Sequence, residues 1–269
     1  MFYEGTEKRL FICTKDLNLL TLEQSFWHNL VSYAGAEIIS NINNHHVSAY
    51  LLSESSLFIW EDKLLLITCG NTQLVKAALF IQQQLTKQKI STLIFQRHQA
   101  LKPQLQATNF QQDRMLLEKQ FNGHLQHCRE DYQGDLFVFG DISTHTIPTQ
   151  GIYMLHGLRG EFAKSLQSKH IDKASILKTL RFTDFFDSLT IDHFSFKPKG
   201  YSLNAINQKD YLTIHLTPEK LSTYLSIETS LTDSQCAPFI KHLEALFLPI
   251  SLKKIQFKAD NQQLTIISA

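Results

Sequence analysis

A short polar break carries the first residues that could do chemistry. The segment LSESS, residues 52–56, interrupts an otherwise apolar stretch. A serine hydroxyl such as that of Ser55 can attack the carbonyl of the preceding Glu54 and convert the amide into an ester. β-Elimination then breaks the chain, and hydrolysis of the new dehydroalanine terminus gives a pyruvoyl group. The reaction needs a fixed backbone, donors for an oxyanion and a base for the serine Cα proton. Taken alone, a serine-rich surface turn is the commoner interpretation.

Three further side chains could donate or accept protons: Cys69, Ser202 and His215. Ser55 precedes Cys69 by 14 residues and Ser202 precedes His215 by 13 residues, in each case across a predicted hairpin. Thiols and imidazoles have pKa values near ~8.5 and ~6.5, so both can move protons close to neutral pH. A lone buried cysteine or strand histidine is nevertheless more often structural. The spacing alone therefore leaves both interpretations open.

Composition limits the classes of function. The 269 residues are 43% hydrophobic, and 26 basic against 25 acidic residues leave a formal net charge of +1. Nucleic-acid-binding proteins usually carry a basic surface that this balance does not provide. The four cysteines form no C-x-x-C pair, so we expect no zinc site. The chain opens without an apolar signal segment, and no apolar run approaches the ~20 residues of a membrane span. We therefore expect a cytoplasmic protein with free thiols.

The elements that position these residues alternate between strands and amphipathic helices. An antiparallel α+β fold with helices on the outer faces of the sheets is the expected result. The first helix is predicted to begin at a capping box, Thr21-x-x-Gln24. The predicted strands are 47–53, 56–60, 64–68, 136–140, 200–206, 211–216 and 224–231. The predicted helices lie near 22–32, 72–86, 161–181 and 235–247, with a loop at 129–135 and a final hairpin turned by Asp260-Asn261.

Several separated segments resemble one family when they are taken together. They are FYEGTEK (2–8), LSESSLF (52–58), TCGNTQLVKA (68–77), GYSLN (200–204), TIHLTPE (213–219) and YLSIETSL (224–231). Their order and spacing resemble those of the eukaryotic-type S-adenosylmethionine decarboxylase proenzymes, which are pyruvoyl enzymes of spermidine synthesis. The match is strong at these motifs and faint between about residues 85 and 190. The resemblance and the pattern imply one domain, 1–269, folded as a four-layer α/β/β/α sandwich with pseudo-repeats near 1–145 and 150–269.

The resemblance assigns roles in processing and proton transfer. Ser55 matches the cleavage serine, so the chain would be cut between Glu54 and Ser55 into chains 1–54 and 55–269. The pyruvoyl group derived from Ser55 would form a Schiff base with the substrate amine. Cys69 matches the cysteine that returns a proton to the substrate carbon. Ser202 and His215 match the processing pair, in which the histidine removes the Cα proton of the ester.

The resemblance also implies contacts with S-adenosylmethionine. Glu4 and Glu7 match two acids that favour a cationic substrate. Aromatic rings stack on adenine and favour a sulfonium, and a carboxylate can bind the two ribose hydroxyls. The remaining substrate-binding positions are two aromatics, one backbone segment and one acid: Tyr3, Phe196, Leu52 and Glu219.

The implied function is pyruvoyl-dependent decarboxylation of S-adenosyl-L-methionine to the aminopropyl donor for spermidine and spermine. The cofactor is the covalent pyruvoyl group, with neither pyridoxal phosphate nor metal. Neither nucleic acid nor a membrane is expected as a partner, and a homodimer is left open. Two alternatives remain: a pyruvoyl decarboxylase of ornithine or arginine, and an unprocessed, non-catalytic homologue. The adenosine-binding positions argue against the first alternative, and the intact set of processing residues argues against the second.

The resemblance weakens at the activator site. Putrescine-activated family members carry acidic and basic residues where this sequence has Phe11 and Ile67, and Glu228 keeps one acidic position. Burying a dication without carboxylates is unfavourable. We therefore predict that putrescine does not stimulate this protein.

Overall fold

The chain contains two compact units, each built on one antiparallel sheet. The computed structural model describes residues 7–85, 87–100, 102–126, 134–140, 142, 147–219, 223–260 and 263–268. The first unit lies within residues 3–147 and 258–266, and the second within residues 148–257 together with the last residues of the chain. Each unit has its own cluster of buried apolar side chains.

The first unit has an eight-stranded sheet in the order β2-β3-β4-β5-β1-β6-β8-β7. Its strands are β1 (Lys8–Thr14), β2 (Ile38–Asn43), β3 (Val47–Leu52), β4 (Ser55–Trp60), β5 (Lys63–Thr68), β6 (Ile90–His98), β7 (His124–Gln126) and β8 (Gly134–Gly140). Its helices are α1 (Gln24–Ala34), α2 (Leu74–Leu85) and α3 (Phe110–Gln120). Alternate residues of the strands, such as Leu10 and Ile12, pack with helix residues such as Trp27. Phe11, on the opposite face of β1, is buried as well.

The second unit is built on a seven-stranded sheet in the order β10-β11-β12-β13-β9-β14-β15, whose last hairpin is part of this unit only up to residue 257 and from residue 267. Its strands are β9 (Gly151–His156), β10 (Thr190–Ser195), β11 (Tyr201–Asn207), β12 (Asp210–Thr217), β13 (Tyr224–Thr229), β14 (Ser251–Asp260) and β15 (Gln263–Ser268). Its helices are α4 (Glu161–Ser168), α5 (Lys173–Leu180), α6 (Phe182–Phe185) and α7 (Asp233–Phe247). Phe239 and Leu243 of α7 pack with Leu203 and Ile214 of the sheet.

The two sheets share a strand order. Each begins with a four-stranded meander, β2–β5 or β10–β13, followed by the first strand of its own unit, β1 or β9. This shared order supports internal duplication, which stays a proposal. The predicted α+β fold with two antiparallel sheets and packed helices is confirmed. Within the described part of the chain, no helix has the length and apolar content needed to cross a membrane.

Two local predictions are wrong. The helix predicted over 161–181 is broken, because Asp172 caps a new helix by accepting a hydrogen bond from the Ser175 N–H. The predicted capping box at Thr21 does not form, because Thr21 belongs to a short 3-10 turn and its hydroxyl donates to the Asn18 carbonyl at 2.7 Å. The N-cap of α1 is instead Glu23. The predicted loop at 129–135 falls largely, and Asn261 of the final turn wholly, outside the described residues.

Candidate active site

The turn between β3 and β4, residues 52–55, holds the predicted cleavage bond in an unusual conformation. Leu52 and Ser55 form the last pair of the β3–β4 ladder, so Ser53 and Glu54 make the turn. Ser55 has a φ of 135°. The four other non-glycine residues with positive φ in the described chain lie between 46° and 53°, in the ordinary left-handed region. Backbone strain of this kind concentrates at functional sites. We call residues 52–55 the cleavage turn.

Cys69 directly contacts the carbonyl group that Ser55 would attack. The backbone N–H of Cys69 donates to the Glu54 carbonyl oxygen at 3.0 Å, and the thiol Sγ lies 3.3 Å from the same oxygen. Sγ also lies 3.9 Å from Oε2 of the Glu54 side chain. An N–H aimed at a carbonyl stabilises negative charge that develops there. The cleavage turn and Cys69 therefore fit the conversion of Ser55 into a pyruvoyl group.

The segment after Cys69 is held by buried polar contacts that the sequence did not predict. Nζ of Lys8 donates to the Gly70 carbonyl at 3.0 Å and to the Thr72 hydroxyl at 3.3 Å. The Thr72 hydroxyl lies 2.8 Å from the Cys69 carbonyl and 2.9 Å from the Thr68 hydroxyl. Lys8 and Thr72 belong to the motifs FYEGTEK and TCGNTQLVKA. This was the sequence signal that could have identified them as site residues.

Ser202 and His215 form a second polar cluster, in the second sheet. They are directly opposite each other on β11 and β12, and Ser202 Oγ lies 2.9 Å from His215 Nδ1. His215 Nε2 lies 2.9 Å from the hydroxyl of Thr213, which itself donates to Oδ1 of Asn204. With Oδ1 of Asn204 as the acceptor of the single Thr213 hydroxyl hydrogen, Thr213 accepts from Nε2–H of His215. In the neutral imidazole, Nδ1 is then the basic nitrogen and accepts the Ser202 hydroxyl.

Of the two acids predicted to favour a cationic substrate, Glu4 and Glu7, only Glu7 is among the described residues. Glu7 is buried, and its Oε2 lies 2.8 Å from Nη2 of Arg9, so the carboxylate takes part in a buried ion pair within its own strand region. Sequence reasoning missed this pairing. Glu4 and the predicted ring-stacking Tyr3 lie outside the described residues.

The other predicted substrate positions are distributed between the two units. The Leu52 side chain is fully buried in the core of the first unit, which leaves its backbone for any contact with a ligand. Phe196 is partly buried, and its ring packs edge-on against Phe194 with centroids 4.9 Å apart. Glu219 is 6% exposed, and its carbonyl accepts a hydrogen bond from the Thr223 hydroxyl.

The other described thiols differ from Cys69 in their surroundings. Burial raises the pKa of Cys13 to about 12 and that of Cys236 to about 11. Both side chains are buried, Cys236 within the apolar core of the second unit, and the three described cysteines are free. Among the described residues, no group of three or more His, Cys, Asp or Glu side chains is placed to hold a metal ion.

Comparison with known proteins assigns the family. The model of the adenosylmethionine decarboxylase family matches residues 1–267, nearly the whole chain. The chain belongs to this family. The S-adenosylmethionine decarboxylase proenzyme of Leishmania donovani is 27% identical over 95% of this chain and 73% of that protein. The proenzyme of Drosophila melanogaster is 27% identical over 92% of this chain and 80% of its own length.

A rice relative and a solved structure agree with this assignment. The S-adenosylmethionine decarboxylase proenzyme of Oryza sativa subsp. japonica is 29% identical over 84% of this chain and 64% of its own length. The crystal structure of the Trypanosoma brucei AdoMetDC-delta26 monomer aligns with a TM-score of 0.59 at 23% identity, over 75% of this chain and 79% of that one. At this identity the structural likeness supports the fold alone. The resemblance to the decarboxylase family predicted from the motifs is confirmed.

Proposed function

We propose that this member of the adenosylmethionine decarboxylase family cleaves itself between Glu54 and Ser55 and then decarboxylates S-adenosyl-L-methionine. Family membership makes the chain a carboxy-lyase. Its product is the aminopropyl donor for spermidine and spermine synthesis. The observation that carries the proposal is the strained Ser55 beside a Glu54 carbonyl that contacts both the N–H and the thiol of Cys69.

The processing reaction uses only groups of this chain and water. Ser55 Oγ bonds to the Glu54 carbonyl carbon, and the Glu54–Ser55 C–N bond breaks to give an ester and a free amine. Removal of the Ser55 Cα proton then breaks the Ser55 Cβ–Oγ bond, so that Glu54 leaves as a carboxylate and dehydroalanine remains. Water converts the remaining dehydroalanine into a pyruvoyl group and ammonia. The hydrogen bond from the Cys69 N–H to the Glu54 carbonyl supports a role for this N–H in stabilising the first oxyanion.

We assign the base of this reaction to His215. The Thr213 contact leaves Nδ1 of His215 as the basic nitrogen, and the Ser202 hydroxyl donates a hydrogen bond to it. Imidazole is neutral or charged close to physiological pH and can therefore accept a proton there. Ser202 would stabilise the intermediate that precedes the ester.

In decarboxylation, the pyruvoyl group supplies the electron sink that accepts the electrons released as CO2 departs. Cys69 holds the proton that returns to the former α-carbon of the substrate. Glu4 and Glu7 are the proposed acids for the cationic substrate, although Arg9 already pairs with Glu7. The adenosine positions are proposed at Tyr3, Phe196, Glu219 and the Leu52 backbone.

Chain cleavage tests the proposal directly. Intact mass analysis of the purified protein should show chains 1–54 and 55–269, and Ser55→Ala should stay whole. Ser48→Ala, a serine substitution in β3 of the same hairpin, is the matched control and should still cleave. A wild-type chain that never cleaves would contradict self-processing.

Substrate identity needs a separate measurement. Labelled CO2 should be released from carboxyl-labelled S-adenosylmethionine, whereas ornithine and arginine should give no release above that of Ser55→Ala. Release from ornithine or arginine at a comparable rate would overturn the substrate assignment and leave the processing assignment intact.

A further inference from the structure

Lys8 places an ammonium group inside the first unit, where the next two residues on the same face of β1 are apolar. Its side chain is 1% exposed. Residues on the same face of a strand alternate, so Lys8 shares its face with the core residues Leu10 and Ile12. Charged groups are rarely buried unless hydrogen bonds or opposite charges compensate for lost hydration. The contacts of the ammonium group therefore indicate what it does.

Both hydrogen bonds described for the Lys8 ammonium go to the segment that follows Cys69. Nζ donates to the Gly70 carbonyl at 3.0 Å and to the Thr72 hydroxyl at 3.3 Å. Lys8 also lies opposite Thr68 in the β1–β5 ladder. The Lys8 side chain thus contacts the residues that follow Cys69. The β1–β5 ladder holds Thr68, the residue that precedes it.

Thr72 extends this hold to Cys69 itself. Its hydroxyl accepts from Lys8 and has one hydrogen, for which the Cys69 carbonyl at 2.8 Å and the Thr68 hydroxyl at 2.9 Å are the two acceptors. Cys69 in turn donates its N–H to the Glu54 carbonyl at 3.0 Å. A continuous series of contacts therefore runs from Lys8 through Thr72 and Cys69 to the cleavage turn.

The charges around Lys8 are of both signs. Burial, and then the nearby positive charge of Arg97, lower the pKa of Lys8 to about 8. Cys69, Asp113 and Glu54 act in the opposite direction and favour the ammonium form. Arg97 is itself paired with Asp113, and the Glu54 carboxylate of the cleavage turn is a further negative group near Lys8.

We propose that Lys8 is a positioning residue that, through Gly70 and Thr72, holds Cys69 against the Glu54 carbonyl. This inference rests on the proposed function, because it assigns to Lys8 control over where Cys69 places its N–H and its proton. Misplacement of catalytic groups by about 1 Å can slow a reaction on the order of a hundredfold. Loss of Lys8 therefore affects the two steps that use Cys69 and spares substrate contacts elsewhere.

The second of these steps has a chemical signature. When the proton returns to the substrate carbon, the amine product is released and the pyruvoyl group is restored. When it reaches the cofactor carbon instead, water releases the substrate as an aldehyde, and its nitrogen stays on the chain. The substrate is oxidised from amine to aldehyde and the cofactor is reduced from ketone to amine, so no other reagent is needed. The long chain then begins with alanine, which mass spectrometry of its N-terminal peptide detects.

Lys8→Met, Thr72→Val and Thr72→Ser test the proposal in the full chain. Lys8→Met keeps the length of the side chain without the charge, and Thr72→Val removes only the hydroxyl. We expect both to slow chain cleavage on the order of tenfold and to raise the alanine-to-pyruvate ratio per turnover by a similar factor. Thr72→Ser restores the hydroxyl and should return both quantities towards wild type. Thr14→Val, at the other end of β1, removes a buried hydroxyl and should change neither.

The outcomes separate this inference from the proposed function. If the wild type cleaves and decarboxylates while Lys8→Met and Thr72→Val match it in both readouts, the role of Lys8 is wrong and the function stands. A wild type that does not cleave at Glu54–Ser55 contradicts the function itself. If Thr72→Ser is as impaired as Thr72→Val at an unchanged melting temperature, the hydroxyl contact is not what positions Cys69. If Lys8→Met fails to fold, the Thr72 pair alone decides.

Discussion

The cleavage turn with Cys69 and the Ser202–His215 pair are built in different ways within matching meanders. Ser55 and Cys69 border β4 and β5, the third and fourth strands of the first meander. Ser202 and His215 lie on β11 and β12, the second and third strands of the other meander. The similar spacing of the two pairs in the sequence therefore does not correspond to a shared position in the sheets.

The two regions also differ in what makes the contact. At the cleavage turn, the backbone of Cys69 contacts a backbone carbonyl beside a residue with a φ of 135°. In the second sheet, two side chains meet across a regular ladder pair and a third side chain fixes the imidazole. The bond proposed to break lies in strained backbone, whereas the side chains proposed for proton transfer in processing, Ser202 and His215, lie in regular strands. This difference can be tested in three ways.

Replacement of the proposed base should have the largest effect. His215→Ala removes the group assigned to the Cα proton, so the chain should stop at the ester with no pyruvoyl formed. Hydroxylamine attacks esters much faster than amides, and it should therefore cut His215→Ala between residues 54 and 55. Denaturing electrophoresis with and without hydroxylamine measures this.

Two control variants test whether the cut requires the ester and whether the effect is specific to His215. Ser55→Ala cannot form the ester, so hydroxylamine should leave it whole. His193→Ala, in β10 of the same sheet, should cleave unaided as the wild type does. Spontaneous cleavage of His215→Ala at the wild-type rate would show that processing does not need His215. The proposed division of roles between the two regions would then be wrong.

Backbone strain predicts a smaller effect, with opposite signs in the two regions. Glycine tolerates a φ of 135° and alanine does not, so Ser55→Gly should be more stable than Ser55→Ala by about 1 kcal/mol. Ser202 lies in a regular strand, where glycine should be less stable than alanine by about 0.5–1 kcal/mol. Urea unfolding of the uncleaved chains measures both differences, with the Ser202 variants made in the Ser55→Ala background. The same sign at both positions would show that Ser55 is unstrained.

The sequence predicted most of the fold that these tests rely on. Apolar runs such as 56–60 and 211–216 form strands because their residues suit a buried pleated surface. Six strands were not predicted: β1, β2, β6, β7, β9 and β10. Of these, β1 and β6 include buried charges. The burial of Arg97 depends on Asp113, which lies on α3 and reaches it only through the tertiary fold. A pattern of apolar residues cannot indicate that a charged residue will be compensated.

The candidate site was predictable to a more limited extent. The motifs singled out Ser55, Cys69, Ser202 and His215 as candidates, and the structure shows a contact between Ser202 and His215 and one between Cys69 and the cleavage turn. The supporting residues Lys8, Thr72 and Thr213 were not singled out. Their contacts follow from strand register and from the path of the chain after β5, which motif spacing does not specify.

The smallest effect is expected for putrescine, which should not change the rate of decarboxylation. In the first sheet, Phe11 and Ile67 are buried and apolar, and Arg9 lies opposite Ile67 as a buried cation paired with Glu7. A dication there would meet apolar surface and a like charge instead of carboxylates, and its burial would be unfavourable. CO2 release from S-adenosylmethionine should therefore stay constant as putrescine is added.

Glu228 is the acidic position of the activator site that this sequence retains, and it allows a direct test of this prediction. Glu228 is buried and accepts hydrogen bonds from Thr149 at 2.9 Å and Tyr211 at 3.1 Å, so neutral hydroxyls already contact it. Glu228→Gln should therefore leave the response to putrescine as flat as in the wild type. If putrescine raises turnover in the wild type and Glu228→Gln removes the rise, the second sheet binds the activator, and the apolar residues of the first sheet do not prevent it.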